Sequence, residues 1–261
     1  MRPDPLSIVA IALVLYVGVD DTLQTQDYNH DHPQAKLSIS ELVTIGLLFS
    51  LKGGSFRRFY PWLVANLGDC FPTLPQRSRL QRRLLKQQAL VMNFLADASL
   101  FCIADSYGVE LRHPIRQFQS PKTTRLGAKG KSNKRWIHGM KLLFVLNDQD
   151  QVVSFDWAAA NTADKHFNPL LRQYDQQAIV LVDLGFRDKN GVPECLKLCQ
   201  HKTWSERMCI ERLFSQITRF FGAKKRNHRC EAGFTAWWAY LIIAINLIAA
   251  FPQISLADMV L

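Results

Sequence analysis

The sequence has no internal repeat, no low-complexity tract and no long uninterrupted apolar run. Of its two most apolar segments, residues 6–19 fall short of the roughly 20 residues that a membrane-spanning helix needs. The other, residues 236–251, contains Asn246 and begins with Trp237 and Trp238. The first segment follows Arg2, as in a signal peptide, but Asp20 and Asp21 come directly after it and no small-residue cleavage site stands out. We therefore predict that both segments are buried helices, with a membrane anchor at residues 6–19 as the open alternative.

Cysteine is sparse and irregularly spaced, with six residues in a chain of 261. A chain of this length does not need a disulfide scaffold. Cys102 and Cys209 lie in apolar segments and are predicted to be buried, reduced thiols. Cys195, Cys199 and His201 form part of a zinc pattern, but the sequence offers no obvious fourth ligand. These features indicate a reducing, cytoplasmic compartment.

Acidic residues are outnumbered by basic ones. There are 22 Asp and Glu against 32 Lys and Arg, which gives a formal net charge of +10 and a pI near 9.5. Hydrophobic residues make up 48% of the chain, enough for a sizeable core, and this argues against global disorder. The excess of basic residues either keeps the protein soluble or binds a polyanionic partner. Nucleic acid is the first candidate for such a partner, and an anionic membrane surface is the second.

Residues 1–95 have the periodicity of helices, and we predict a small α-helical N-terminal domain there, suited to DNA binding. Ser38 and Glu41 have the spacing of a capping box, and Gly53 is predicted to end the helix that follows. Pro61 is predicted to break the next segment.

A basic helix is predicted over residues 77–86. Its leucines share one face, and its charged side chains point elsewhere: Arg79, Arg82, Arg83 and Lys86. Both an ordinary solvated face and a face that contacts DNA fit this pattern, because few acids interrupt it.

The periodicity changes near residue 97, and residues 96–254 are predicted to form a second domain. The predicted elements are a strand ending at Asp105, a mobile loop over 112–135, a hairpin over 140–157, a helix over 164–174, a strand over 178–182 and a helix over 207–221. This order predicts an α/β fold with a mixed sheet flanked by helices. We expect the strands before Asp105 and Asp183 to be neighbours, the hairpin to continue their sheet, and the last helix to pack across it.

Two aspartates follow apolar strands. Asp105 comes after one apolar run, and Asp183 after another, with Gly185 allowing a sharp backbone turn. The carboxyl ends of strands are where α/β sheets bind ligands. The alternative for each aspartate is that it caps the next turn.

A third acid, Glu211, lies on the predicted helix over 207–221, one turn after Arg207. In one interpretation the two residues form a surface ion pair worth under about 1 kcal/mol. In the other, Glu211 binds a metal ion and Arg207 binds a DNA phosphate. Trp204, one turn earlier, is either a core residue or a platform on which a base stacks. Two strand ends and one helix face can bring Asp105, Asp183 and Glu211 together around two divalent ions about 4 Å apart, an arrangement that drives phosphodiester chemistry.

Several blocks along the chain also carry a family pattern: residues 51–55, 71–83, 104–106, 139–142, Ala160-Asn161 with Asp164, 182–186 and 204–215. In these blocks, and over about residues 38–247, the sequence resembles the DDE transposases of bacterial insertion sequences. The resemblance implies an RNase H-like catalytic domain in which Asp105, Asp183 and Glu211 are the catalytic and metal-binding triad. It implies two Mg²⁺ or Mn²⁺ ions, water as the first nucleophile and a 3′-hydroxyl as the second.

The function implied is metal-dependent cleavage and strand transfer of double-stranded DNA at element ends and target, by an endonuclease acting as a homodimer in the cytoplasm without a membrane. Nine residues are expected to contact DNA: Arg79, Arg82, Arg83, Lys86, Lys141, Trp204, Arg207, Lys224 and Lys225. The open alternative is a decayed transposase that binds DNA without cutting it.

The chain departs from the family pattern at three places. Leu184 and Phe186 replace the lysine and tyrosine that often follow the second aspartate, and Trp204 stands where a tyrosine is common. Thr218 lies near the position of a frequent lysine, for which Lys224 and Lys225 are candidate substitutes.

Overall fold

The structure, a computed structural model, describes residues 6–26, 28, 35–113, 126–132, 135–199, 208–226, 228, 230–251 and 253–261. The α-helices are α1 (Ile8–Thr25), α2 (Ile39–Lys52), α3 (Phe56–Leu67), α4 (Arg77–Lys86), α5 (Asn168–Leu171), α6 (Met208–Phe221) and α7 (Glu231–Ala249). The strands are β1 (Phe101–Arg112), β2 (Ala128–Ser132), β3 (Arg135–Leu146), β4 (Val152–Ala159), β5 (Ile179–Val182) and β6 (Leu196–Leu198).

The chain forms two compact units. The first, called here the helical unit, consists of Met1–Phe94 together with Ala232–Leu261, and the second, the sheet unit, is the continuous segment Leu95–Glu231. The predicted domains, 1–95 and 96–254, differ from this division in the placement of the residues after 231.

The start and end of α2 follow the predicted signals. The Ser38 hydroxyl accepts a hydrogen bond from the Glu41 amide (3.1 Å), and the Glu41 carboxylate accepts one from the Ser38 amide (2.7 Å). This capping box satisfies two backbone donors that would otherwise lack a partner, and such caps stabilise helices by about 1 kcal/mol. Gly53, at φ 68°, closes the helix in a conformation that favours glycine.

The predicted break at Pro61 is wrong, because Pro61 lies inside α3. An interior proline costs a helix about 3 kcal/mol through its missing N–H and its ring. In α3 this cost is offset by packing: Phe56, Phe59, Leu63 and Leu67 are all buried, at the spacing of one helix face.

Helix α7 belongs to the helical unit because it is apolar on nearly all sides and buries almost its whole length. Its polar groups are also satisfied within this unit. The Tyr240 hydroxyl donates to the Leu84 carbonyl (2.8 Å), and the Asn246 side-chain amide donates to the Phe94 carbonyl (2.7 Å). These two bonds tie α7 to the end of the N-terminal segment.

By length and composition alone, α1 and α7 are each able to cross a membrane, and the bent pair α2–α3, with 115° between its helices, would make a third span. In the structure, 78% of the apolar window of α7 is buried, against 33% of that of α1. The predicted burial of residues 236–251 therefore holds, whereas α1 has an exposed apolar side.

The sheet unit contains a mixed sheet with the strand order β2-β3-β1-β5-β6, and β4 also pairs with β3. Strand β3 is antiparallel to β1, β2 and β4, while β5 is parallel to both β1 and β6. The predicted neighbours and the predicted hairpin are thus confirmed. Short turns and α5 cover one face of the sheet, and α6 lies against β1.

Three predicted boundaries are wrong. Strand β1 does not end at Asp105, because β3 pairs with it as far as Arg112. The predicted loop over 112–135 contains β2, which pairs with the first half of β3; residues 114–125 and 133–134 lie outside the described residues. The predicted helix over 164–174 is α5 between two 3-10 turns, because Pro169 has no N–H to continue an α-helix from the preceding turn.

Candidate active site

The candidate site lies where β5 stops and β1 continues. The last paired residues of the two parallel strands are Ile103 and Leu181. Continuing this register by two residues brings Asp105 beside Asp183. β5 ends at Val182, and the same edge of β1 is next paired at Glu110, whose amide donates to the Lys224 carbonyl (2.8 Å). The stretch of β1 edge between these two contacts forms a notch.

Helix α6 closes one face of the notch. Asp105 and Tyr107 share a face of β1, because side chains alternate along a strand. The Tyr107 ring centroid lies 4.9 Å from that of Phe214, and the Tyr107 hydroxyl lies 2.6 Å from the Thr218 hydroxyl. Glu211 stands one turn before Phe214 on α6, so it reaches the same cavity as Asp105.

A cavity of about 730 Å³ occupies the notch, and charged side chains of both signs line it. Its acids are Asp105, Asp164, Asp183 and Glu211. Its bases are Lys131, Lys141, Arg219 and Lys224. Balanced groups of this kind suit an anionic ligand that is bridged to the acids by cations.

The two predicted strand-end aspartates are oriented by the backbone. Asp183 accepts a hydrogen bond from the Gly185 amide (2.8 Å), and Asp105 accepts one from the Ser106 amide (2.7 Å). Asp183 therefore does cap the turn at Leu184–Phe186, and it does so through Oδ1. Capping and a place in the cavity are compatible for this carboxylate.

Gly185 is needed for space rather than for an unusual backbone angle. It is not among the glycines with positive φ. A methyl group on its Cα would lie 2.8 Å from Asp164 Oδ2 and 2.9 Å from Asp183 Oδ1. Gly185 is therefore favoured because two carboxylates lie close to it, rather than because the turn needs a positive φ.

Asp164 is a site residue that was not predicted as one. It begins the 3-10 turn Asp164–Phe167, and its Oδ1 lies 3.0 Å from Lys141 Nζ of β3. Lys141 itself was predicted to contact DNA, and it does line the cavity. The only sequence signal for Asp164 was its place in the family pattern beside residues 160–161.

The site fits divalent metal in its chemistry and position. Three hard carboxylate donors, Asp105, Asp183 and Glu211, line one cavity, and carboxylate oxygens are the ligands that Mg²⁺ and Mn²⁺ prefer. In the described part of the chain, no group of three or more His, Cys, Asp or Glu side chains is already arranged to hold an ion. Metal ligation by these acids therefore stays a prediction.

The predicted basic residues fall in different places. Lys224 lines the cavity, with Nζ 5.9 Å from the Tyr107 ring centroid, and Lys225 lines an adjoining cavity of about 480 Å³. On α4 of the helical unit, Arg79, Arg82 and Lys86 are exposed. Arg83 of the same helix is half-buried and donates to the Leu37 carbonyl (3.2 Å).

Several predicted residues lie outside the described part of the chain, namely Trp204, Arg207 and His201. Cys195 and Cys199 are buried, and burial raises the pKa of the Cys195 thiol to about 12. The described cysteines form no disulfide with one another, and Cys102 is buried as predicted while Cys209 is half-buried.

A family model described as "Transposase DDE domain" matches residues 98–205. The chain carries a transposase DDE domain. The match contains Asp105 and Asp183 and ends before Glu211. Neither the curated proteins nor the solved structures gave a match.

The resemblance to DDE transposases is thus confirmed, and so is the fold class of an RNase H-like mixed sheet with a helical N-terminal region. Transposase function in the general sense follows from this domain. DDE transposases act on DNA and generally use divalent metal ions.

Proposed function

We propose that this transposase cleaves DNA at the ends of an insertion sequence and transfers the freed 3′ ends to a target. Asp105, Asp183 and Glu211 are assigned as its catalytic and metal-binding residues. The observation that carries the proposal is the notch, because β1, the end of β5 and α6 each contribute one of these acids to a single cavity.

Asp105, Asp183 and Glu211 would hold two divalent ions, which would supply activation of water or a 3′-hydroxyl and charge stabilisation of the leaving oxygen. The contribution of the chain is to hold the reacting groups. The amide of Gly185 fixes one oxygen of Asp183, and Lys131, Arg219 and Lys224 supply positive charge for the DNA backbone along the same cavity.

The finer features of the function are also proposals. The net charge of +10 supports a polyanionic substrate, for which we propose double-stranded DNA. The exposed Arg79, Arg82 and Lys86 of α4 supply further phosphate contacts, as do Lys141, Lys225 and Arg207, and Trp204 provides a platform on which a base stacks. We further propose a homodimer on DNA, active in the cytoplasm without a membrane anchor, and Mg²⁺ or Mn²⁺ at two ions per site.

The test is cleavage of linear DNA that carries the inverted repeats flanking the reading frame. Asp105→Asn, Asp183→Asn and Glu211→Gln are each expected to abolish cleavage while folding and DNA affinity persist, because each keeps the shape of the side chain and removes its charge. Asp188→Asn is the control, since Asp188 pairs with Lys165 outside the cavity.

Full cleavage by one of the three variants would remove that residue from the proposed triad. DNA binding without cleavage by the unaltered protein would instead support a copy that has lost its nuclease activity.

A further inference from the structure

Lys141 and Asp164 approach the notch from the face of the sheet opposite α6. Lys141 and Phe144 are three positions apart along β3, an odd step, so the two side chains point to opposite faces. Phe144 packs on Phe214 of α6, with ring centroids 5.7 Å apart. Lys141 therefore points away from Glu211, toward the turn that carries Asp164.

The Lys141–Asp164 pair is well shielded from solvent. Lys141 Nζ lies 3.0 Å from Asp164 Oδ1, and the exposed fractions of the two side chains are 12% and 21%. A pair with this exposure is less screened than a surface pair, and removing one partner leaves a poorly solvated charge. That charge must then find another partner.

Asp183 is an acid that flanks Gly185 together with Asp164. Asp164 Oδ2 and Asp183 Oδ1 lie 2.8 and 2.9 Å from the position that a Cβ on Gly185 would occupy. Lys141, Asp164 and Asp183 also line the same cavity. A lysine side chain is long and flexible, so an unpaired Lys141 has Asp183 within the cavity as an alternative partner.

We propose that Asp164 is a positioning residue that holds the charge of Lys141 and so keeps Asp183 available to a divalent cation. The inference rests on the proposed function, because it takes Asp183 as a metal ligand. Asp164 acts through Lys141 and lies on the other side of the sheet from Glu211, so it is not assigned as part of the triad.

The test is a titration of the full chain with Mn²⁺ without DNA, in which free Mn²⁺ is followed by its electron paramagnetic resonance signal. Asp164→Asn is expected to weaken Mn²⁺ binding about 10-fold or more, the range measured when groups that support a metal ligand are removed. Lys141→Gln should not weaken binding. The double variant Asp164→Asn/Lys141→Gln should recover affinity to within about 3-fold of the unaltered protein, because the competing lysine is gone.

The matched control is the ion pair between Lys165 and Asp188, whose charged atoms lie 3.4 Å apart. Lys165 follows Asp164 directly in sequence, but neither residue of the pair lines the cavity. Asp188→Asn should leave Mn²⁺ affinity unchanged. Thermal unfolding of every variant separates a loss of folding from a loss of binding.

Recovery in the double variant is the decisive outcome. If Asp164→Asn weakens binding and the double variant stays equally weak, or if Lys141→Gln alone weakens it, the inference is wrong while the proposed function stands. If Asp164→Asn does not fold, the Mn²⁺ affinities of the double variant and of Lys141→Gln still test the inference, because neither variant should bind Mn²⁺ much more weakly than the unaltered protein. Absence of Mn²⁺ binding by the unaltered protein would reject the proposed metal site and the inference with it.

Discussion

Tyr107 of β1 donates a hydrogen bond of 2.6 Å to Thr218 of α6, because Thr218 already donates its own proton to the Phe214 carbonyl. Burial raises the pKa of Tyr107 to about 12, so the hydroxyl stays protonated at neutral pH. This bond links the strand that carries Asp105 to the helix that carries Glu211. It therefore fixes the distance between two of the three acids.

Tyr107→Phe is expected to lower the free energy of unfolding by about 0.5–1.5 kcal/mol, the net worth of one hydrogen bond, and to slow DNA cleavage as well. Tyr174→Phe is the matched control, since the Tyr174 hydroxyl donates to Ser154 (2.7 Å) in the core, away from the cavity. It should lose similar stability and keep its cleavage rate. Equal cleavage by both variants would show that the link does not position α6.

Gly185→Ala is expected to weaken Mn²⁺ binding and cleavage, because the added methyl group meets carboxylate oxygens of Asp164 and Asp183 at 2.8 and 2.9 Å. Gly191→Ala is the comparison. Gly191 lies in open space but has a φ of 110°, so an alanine there strains the backbone without crowding any side chain. It should lower the melting temperature and leave metal affinity unchanged, as measured by the same titration.

The basic residues of α4 should separate into two kinds. Replacing the exposed Arg79, Arg82 or Lys86 with glutamine is expected to weaken binding to all DNA sequences and to reduce the slope of affinity against salt by roughly one unit per lost contact. Arg83→Gln removes the bond to the Leu37 carbonyl and should instead lower stability. An unchanged salt slope in the first three variants would make α4 an ordinary solvated helix.

Thiol labelling provides a test of the fold that needs no DNA. Cys70 and Cys230 are exposed, whereas Cys102, Cys195 and Cys199 are buried. Burial raises the pKa of Cys102 and brings that of Cys195 to about 12, so these thiols stay protonated and unreactive at pH 8. Iodoacetamide at that pH should modify Cys70 and Cys230 first, as detected by peptide mass spectrometry. Rapid modification of Cys195 would contradict the described core.

Local signals in the sequence predicted local structure well. The capping box at Ser38 and Glu41 and the β3–β4 hairpin each depend on residues close along the chain, and both are present. The existence of the strands before Asp105 and Asp183 also followed from their apolar runs. The assignment of the catalytic triad itself stays a prediction.

The features that sequence reasoning missed depend on distant partners. The extension of β1 beyond Asp105 needs β3 as its partner, and the continuation of α3 through Pro61 needs a buried face that offsets a lost hydrogen bond. Asp164 and Lys141 belong to different elements whose approach no local pattern encodes. The apolar surface of α7 is buried in the same unit as helices from the N-terminal part of the chain.

Because the helical unit is built from two separate segments of the chain, the sheet unit is synthesised completely before the helical unit is. Its core includes Trp237 and Trp238 of α7, which are fully buried and are translated after the entire sheet unit. The ribosome therefore releases a continuous segment, Leu95–Glu231, that is ready to fold before the earlier helices can complete their packing. A copy of the gene with a stop codon just after position 231 would retain Asp105, Asp183 and Glu211 but would leave the N-terminal helices without α7.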